Sequence, residues 1–278
     1  VNEGEDSLYV TVYSYDRTAI LCMIVLLFLL TLSLIGGRKG VYSVVALIFT
    51  FVCIVFLFLP LIYRGVSPVW AAVLVAILTT VVTMYLLGGI SSKSVTAVVG
   101  TVLGVGISGI LAILFGKWTH ISGYNVADIE QLTYVGQTTN IKIGELLYAG
   151  ILISALGAVM DVAMSIASTI NEIHFRNPLL SARELFFSGI RVGKDMMGTM
   201  SNTLILAFTG TSINTLVFLY VYNYSTTQII NMYSIGIELI QGIASTMGVI
   251  LTIPLVSLLS AWHLKRKEIK IFSKIFQR

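Results

Sequence analysis

From Tyr42 to Tyr63 the chain reads YSVVALIFTFVCIVFLFLPLIY, without one charged side chain. The run is as long as the ~20 residues that an α-helix needs to cross hydrocarbon. It is continuously apolar, unlike the alternating ~10-residue strands of a membrane barrel. In lipid every backbone N–H and C=O must be satisfied internally, so a run of this kind is a helix.

Working outward, the same character recurs. Apolar runs cover Thr18–Ile35, Tyr42–Tyr63, Pro68–Leu87, Val95–Phe115, Gly144–Ser168, Gly198–Tyr222 and Tyr233–Leu264, the last carrying Pro254. The expected fold is all-α, a polytopic transmembrane helix bundle of about seven spans. Composition agrees: of 278 residues 56% are hydrophobic and 11% charged, against about a quarter charged in soluble domains. Residues 1–17 read as an acidic extracytoplasmic stub, residues 18–264 as the bundle and residues 265–278 as a basic cytoplasmic tail. The first residue is Val, so a processed or truncated N-terminus is expected.

Basic residues set the expected direction. With the N-terminus outside, the inner segments hold Arg38, Lys39, Lys93, Arg176, Arg183, Arg191, Lys194, Lys265, Arg266, Lys267, Lys270, Lys274 and Arg278. The outer segments hold only Arg17, Arg64, Lys117 and Lys142. This asymmetry places the C-terminus in the cytoplasm. It also accounts for the net charge of +4 without nucleic acid as a partner. The lipid bilayer is the partner that composition implies. Trp118, Tyr124 and Tyr134 in the outer loop Gly116–Ile143 are candidate interface anchors. The tail KRKEIKIFSKIFQR reads either as an amphipathic helix on the inner leaflet or as an ordinary stop-transfer segment.

Carboxylates within the spans carry the functional reading, because charge in hydrocarbon is costly. Asp161 and Glu238 are the two candidates for a transport or proton-responsive role. Ser154, Ala158, Asp161, Ser165, Ser168 and Glu172 recur at steps of three or four and share one helix face. A second polar face runs through Asp195, Gly198 or Thr199, Asn202, Thr209 and Asn214, with Thr211 and Ser212 as further candidate polar lining. Its TGTS stretch (209–212) reads either as an unwound half-helix lining a cavity or as a kinked helix with hydroxyls bonded to its own backbone. Glu238, Gln241, Ser245 and Gly248 form a third. Glu238 lies near the outer boundary, where it also has interfacial water within reach. Glu172, Arg191, Lys194 and Asp195 form a cytoplasmic charge cluster, and Arg191 and Lys194 are the nearest topological partners for Asp161. The structural alternative for all three faces is hydrogen-bonded glue between helices. Gly100 and Gly104 in GTVLGVGISG, with Gly157, are candidate close-packing glycines.

Soluble catalytic machinery has no sequence support. There is no P-loop and no HExxH motif. His120, His174 and His263 form no ligand pair, and Cys22 and Cys53 lie singly in apolar runs, so no metal or cofactor is expected. An intramembrane aspartyl protease needs two facing aspartates, and only Asp161 lies clearly inside.

Two long motifs, GAVMDVAMSIASTINEI (157–173) and SGIRVGKDMMGTMSNTLILAF (188–208), resemble the signature region of the YibE/YibF family. GGRKG (36–40) and the Pro60–Pro68 segment fit the same pattern, and the acidic stub is similar to the end of an upstream extracytoplasmic region in longer members. The resemblance implies a multi-pass protein of the bacterial plasma membrane, with a paralogue or a second copy as candidate oligomer partner. It implies no substrate. The residues themselves point to a permease or secondary transporter for a small solute or ion. The alternative is a membrane subunit or scaffold coupled to a cytoplasmic partner such as an ATPase, docked on Asn171–Met197. An intramembrane enzyme ranks below both.

Overall fold

A computed structural model describes residues 15–126 and 129–276, with side chains through Lys265. It is helical, with no strand among the described residues. Helices α1 (Thr18–Cys53), α2 (Leu59–Tyr63), α3 (Pro68–Gly88), α4 (Ser92–Trp118), α5 (Ile129–Thr138), α6 (Leu146–Arg176), α7 (Ala182–Thr211), α8 (Ile213–Val221), α9 (Thr226–Ile230) and α10 (Tyr233–Phe276) follow one another. Five helical runs are long and apolar enough to cross a membrane, and six if α7 and α8 count together as one bent span. The chain forms two compact units, Val1–Val45 and Ala46–Arg278.

In the first unit, helix α1 is bent at Gly37, whose backbone (φ 53°, ψ −135°) is far from helical. The bend is sharp. A Cβ on Gly40 would lie 2.2 Å from the Leu32 carbonyl oxygen, although a straight helix separates residues eight apart by about 12 Å. The sequence reading expects a short polar loop at GGRKG between two spans. The structure has helix on both sides of a single non-helical glycine instead. At the start of α1 the Thr18 N–H donates to Asp16 Oδ1 at 2.9 Å. The Thr18 hydroxyl and amide together hold the Asp16 carboxyl below the ordinary aspartate range. A depressed folded-state pKa contributes order that is present above the unfolded group's range and lost as pH falls through the folded value. Exchange of the Thr18 amide, corrected for its intrinsic pH dependence, is therefore expected to quicken on acidification below the aspartate range. Asp16→Asn should abolish that step; a step that survives the substitution would disprove the assignment.

The second unit is organised by α4, α6 and α10. Against α10, helix α4 presents small residues every fourth position, and each meets a residue of that helix. Thr96 faces Ser260, whose hydroxyl donates to Thr96 Oγ1 at 3.2 Å. A Cβ on Gly100 would lie 2.2 Å from Val256 and one on Gly104 1.9 Å from Thr252 Oγ1. The Ser108 hydroxyl donates to the Ala244 carbonyl at 3.0 Å, and a Cβ on Gly248 would lie 2.7 Å from Ser108 Cβ. The two helices are thus antiparallel along an i, i+4 ridge. Lipid provides no hydrophobic drive between helices, so this close approach supplies the dispersion that holds them.

Helix α6 is antiparallel to α4 as well. Gly104 also meets Val159, Gly109 meets Leu152 and Gly116 meets Tyr148. Helix α3 begins level with α6, where the Ser67 hydroxyl donates to Glu145, and ends where Gly88 meets Met164. Hence α3, α6 and α10 run one way and α4 the other. Helix α7 also opposes α10, through Gly189 on Ser257, Gly193 on Ile253 and Phe208 on Gly242. Between these helices Ile151, Leu152, Val159, Val162, Ile166, Leu185, Val249 and Val256 are fully buried.

Local chemistry explains the breaks. Pro60 lacks an N–H and crowds the preceding turn, and the chain widens into a π-helical turn at Ile54–Phe58 just before it. Pro68 opens α3 at a position where its missing donor costs nothing. Gly89 (φ 66°) ends α3, and the Ser91 hydroxyl caps α4 by accepting from the Ser94 N–H.

The segment Asn171–Met197 is mostly helix and not a long inner loop. Helix α6 continues to Arg176, and α7 starts at Ala182 behind a capping box in which Ser181 and Glu184 exchange bonds. The Lys265 ammonium donates to the Pro178 carbonyl at 2.8 Å and ties α10 to that turn. Helix α10 continues to Phe276. The side chains of the tail beyond Lys265 and most of the acidic stub lie outside the described residues.

Candidate functional site

The three polar faces do not meet at a single site among the described residues. Among the described residues one direct polar contact joins two of them: Gln241 Nε2 of α10 donates to Ser154 Oγ of α6 at 3.4 Å. Each face has its own environment.

Glu238, one turn before Gln241, is half-buried. It lines a cleft of about 410 Å³ together with Thr209, Ser212, Phe208 and Leu216. The cleft exists because the α7–α8 span is broken at Ser212 and turns through 60°. The break is a single residue with no extended unwound stretch. The Thr209 hydroxyl donates to the Ile205 carbonyl at 2.8 Å and the Thr211 hydroxyl to Phe208 at 2.7 Å. Of the two readings of TGTS, the hydroxyls follow the kinked-helix one, while the bend still opens a cavity. Glu238, Thr209 and Ser212 therefore share a site. Thr211 and Asn214 are exposed elsewhere on the bend.

Asp161 is exposed on α6 and does not point into the helix core, a correction to its expected place in the bundle interior. The physical reason is the stripe itself. The opposite face of α6, with Leu152, Val159, Ile166 and Ile170, is so apolar that it takes the core, leaving the polar stripe on the outside. Ser165 and Ser168 are half-buried beside it. Asp161 has no ionic partner among the described residues. Neither Arg191 nor Lys194 reaches it, and Glu172 pairs with Arg176 at 3.0 Å, one turn along its own helix. Arg191, Lys194 and Asp195 are exposed and form no closed cluster with Glu172.

Asn202 lies on the outward face of α7 and is exposed. Gly100 and Gly104 sit at helix crossings, as described above. Gly157 does not: a Cβ there would meet nothing within 4 Å, because it shares the outward stripe with Asp161. Of the apolar residues expected to dock a cytoplasmic partner, Leu185 is wholly buried while Leu179 is 94% exposed at the apex of the turn.

Sequence reading missed a set of hydroxyls buried at the helix crossings. Thr79 and Thr80 of α3, Thr101 and Ser108 of α4, and Thr252 and Ser257 of α10 are fully buried, as is Ser245, which the third polar face already includes. It also missed the bond from Ser67 to Glu145. The four-residue spacing of Thr96, Gly100, Gly104 and Ser108 was the available signal for the first.

Comparison with known families matches the YibE/F-like protein family over residues 24–266, and the chain belongs to that family. No curated protein and no solved structure matches it.

Proposed function

We propose that this membrane protein is a permease or secondary transporter for a small solute or ion, acting in a bacterial plasma membrane with its C-terminus in the cytoplasm. The observation that carries the reading is the Gln241–Ser154 hydrogen bond. It brings the helix face of Glu238 and the helix face of Asp161 into contact at one point. On α10, Glu238 stands in the cleft one turn from Gln241. On α6, Asp161 lies two turns beyond Ser154, roughly 10 Å along the axis, and Ser165, Ser168 and Glu172 continue the same face. A span broken beside an acidic cleft is an arrangement that membrane transporters use to expose backbone and side-chain ligands. Glu238 then serves as the outer acidic group and Asp161 as the proton- or cation-responsive group nearer the cytoplasm.

The test uses proteoliposomes loaded with a pH-reporting dye and challenged with panels of small anions, cations and neutral solutes. At least one class is expected to move the internal pH. Asp161→Asn should reduce that response at least about tenfold, the scale for losing a group on which the step depends, with expression and helicity unchanged. An equal response in the variant removes Asp161 from the mechanism. A parent that responds to no class overturns proton-coupled transport.

A further inference from the structure

Helix α7 is the least covered of the long helices in the second unit. Among its described residues only Leu185, Gly189 and Gly193 are buried, all in the half nearer the turn with α6. From Gly198 to Thr211 no residue is buried. The uncovered surface carries a polar stripe, flanked by the exposed Ile205 and Leu206. Arg191, Asp195, Gly198, Asn202 and Thr209 are all exposed and, at 100° per residue, fall within an arc of about 60°. Hydrocarbon offers such a face no hydrogen bonds.

The hydroxyls have a local remedy. Thr199 donates to Met196, Thr203 to Thr199 and Thr209 to Ile205, all to carbonyls of their own helix. Asn202 has none: its carboxamide finds no hydrogen-bond partner among the described residues. Arg191, Lys194 and Asp195 likewise form no ion pair among them.

We propose that this face is the interface with a second copy of the chain, related by a twofold axis along the membrane normal. Two copies in one membrane orientation bring equal depths together, so Asn202 of one meets Asn202 of the other. A carboxamide both donates and accepts, and therefore pairs with itself. Gly198, one turn away, lets the two backbones approach. At the cytoplasmic end, Asp195 stands beside Arg191 and Lys194 on the same surface. In an isologous contact the acid of each copy faces the bases of the other, so the charge pattern is self-complementary as well. An apolar partner helix would satisfy neither group. The inference rests on the membrane setting alone and not on the transport reading.

The experiment places single cysteines in a background of Cys22→Ser and Cys53→Ala, reconstituted in bilayers and oxidised. Asn202→Cys should cross-link to a dimer, whereas Leu78→Cys, exposed on the apolar face of α3, should not. Without oxidation, Asn202→Leu is expected to raise the dimer dissociation constant about five- to thirtyfold, the value of one interhelical hydrogen bond in lipid. Asn202→Gln should retain most of the affinity. Equal cross-linking at both positions, or a parent that is monomeric in bilayers, overturns the proposal. So does Asn202→Cys that reacts with a water-soluble maleimide without cross-linking, since the face would then line an open aqueous path. A flux result leaves each of these outcomes untouched.

Discussion

Gly104→Leu is expected to prevent assembly of the helical core, while Gly106→Leu, two residues along the same helix, leaves it intact. A Cβ at Gly104 would stand 1.9 Å from Thr252 Oγ1 and 2.8 Å from Val159 Cγ1. The neighbours belong to α10 and α6, so the side chain would wedge three helices at once. At Gly106 a Cβ meets nothing within 4 Å. Both substitutions add the same apolar side chain to α4 and improve its insertion into lipid equally. The difference between them isolates packing. Overpacking a well-fitted core costs about 1–3 kcal/mol and sometimes more, a large share of the 5–15 kcal/mol that typically holds a domain. The measurement is the fraction of solubilised protein that elutes as a single species, together with its unfolding temperature. Gly104→Leu should aggregate or melt far below the parent, and Gly106→Leu should match it. Equal behaviour of the two variants would show that the α4–α10 seam does not govern assembly.

The contrast between those glycines also marks what the sequence reveals. GxxxG at Gly100 and Gly104 announces a close helix contact, but its partner is set by tertiary packing. Val256 and Thr252 lie about 150 residues away on α10, and nothing in the GxxxG pattern itself points to them. Gly157 looks equally small in sequence and faces open space. Polar stripes behave in the same way. Their periodicity is visible in Ser154, Asp161, Ser165 and Ser168, yet the direction they face depends on which opposite face the core accepts. The apolar half of α6 wins that competition, and Asp161 is turned outward. Glu238 reaches a cleft because Ser212 interrupts its neighbour; the polar TGTS stretch marks that break, but which residue of α10 meets the resulting space depends on tertiary packing.

Helix starts show the same limit from the other side. Arg191, Lys194 and Asp195 suggest a segment outside the membrane, so α7 is expected to begin near Gly198. It begins at Ala182. A helix need not be apolar to form where it leaves the bilayer, and Ser181 followed by Glu184 was the capping signature that locates its start. Buried hydroxyls such as Thr79 and Thr252 were not legible, because each bonds a carbonyl of its own helix. Nothing in their sequence context then distinguishes a buried position from a lipid-facing one.

Gly40→Val is expected to undo the arrangement of the first 46-residue helical run, Thr18–Tyr63. Straight, such a helix would be about 69 Å long, more than twice the ~30 Å hydrocarbon core. The bend at Gly37 divides it into two arms, each of membrane length. Two crossings by the run would leave Arg17 and Arg64 on the same side, the arrangement expected from the distribution of basic residues in the sequence. Holding the bend demands two glycines for different reasons. Gly37 combines positive φ with ψ −135°, a sparsely populated conformation that costs an L side chain about 1–3 kcal/mol. A Cβ on Gly40 would lie 2.2–3.2 Å from backbone atoms of Leu32 and Ser33, which cannot rotate aside as a side chain can. Gly36 has open space around it, so Gly36→Ala serves as the control. The readout is labelling of Arg17→Cys and Arg64→Cys, in a background of Cys22→Ser and Cys53→Ala, with an impermeant thiol reagent. In the parent and in Gly36→Ala both positions should label from the outer side. In Gly40→Val, and to a lesser degree in Gly37→Ala, that agreement should be lost and the protein degraded. Labels on opposite sides in the parent would mean that the run crosses once, and the count of spans would fall accordingly.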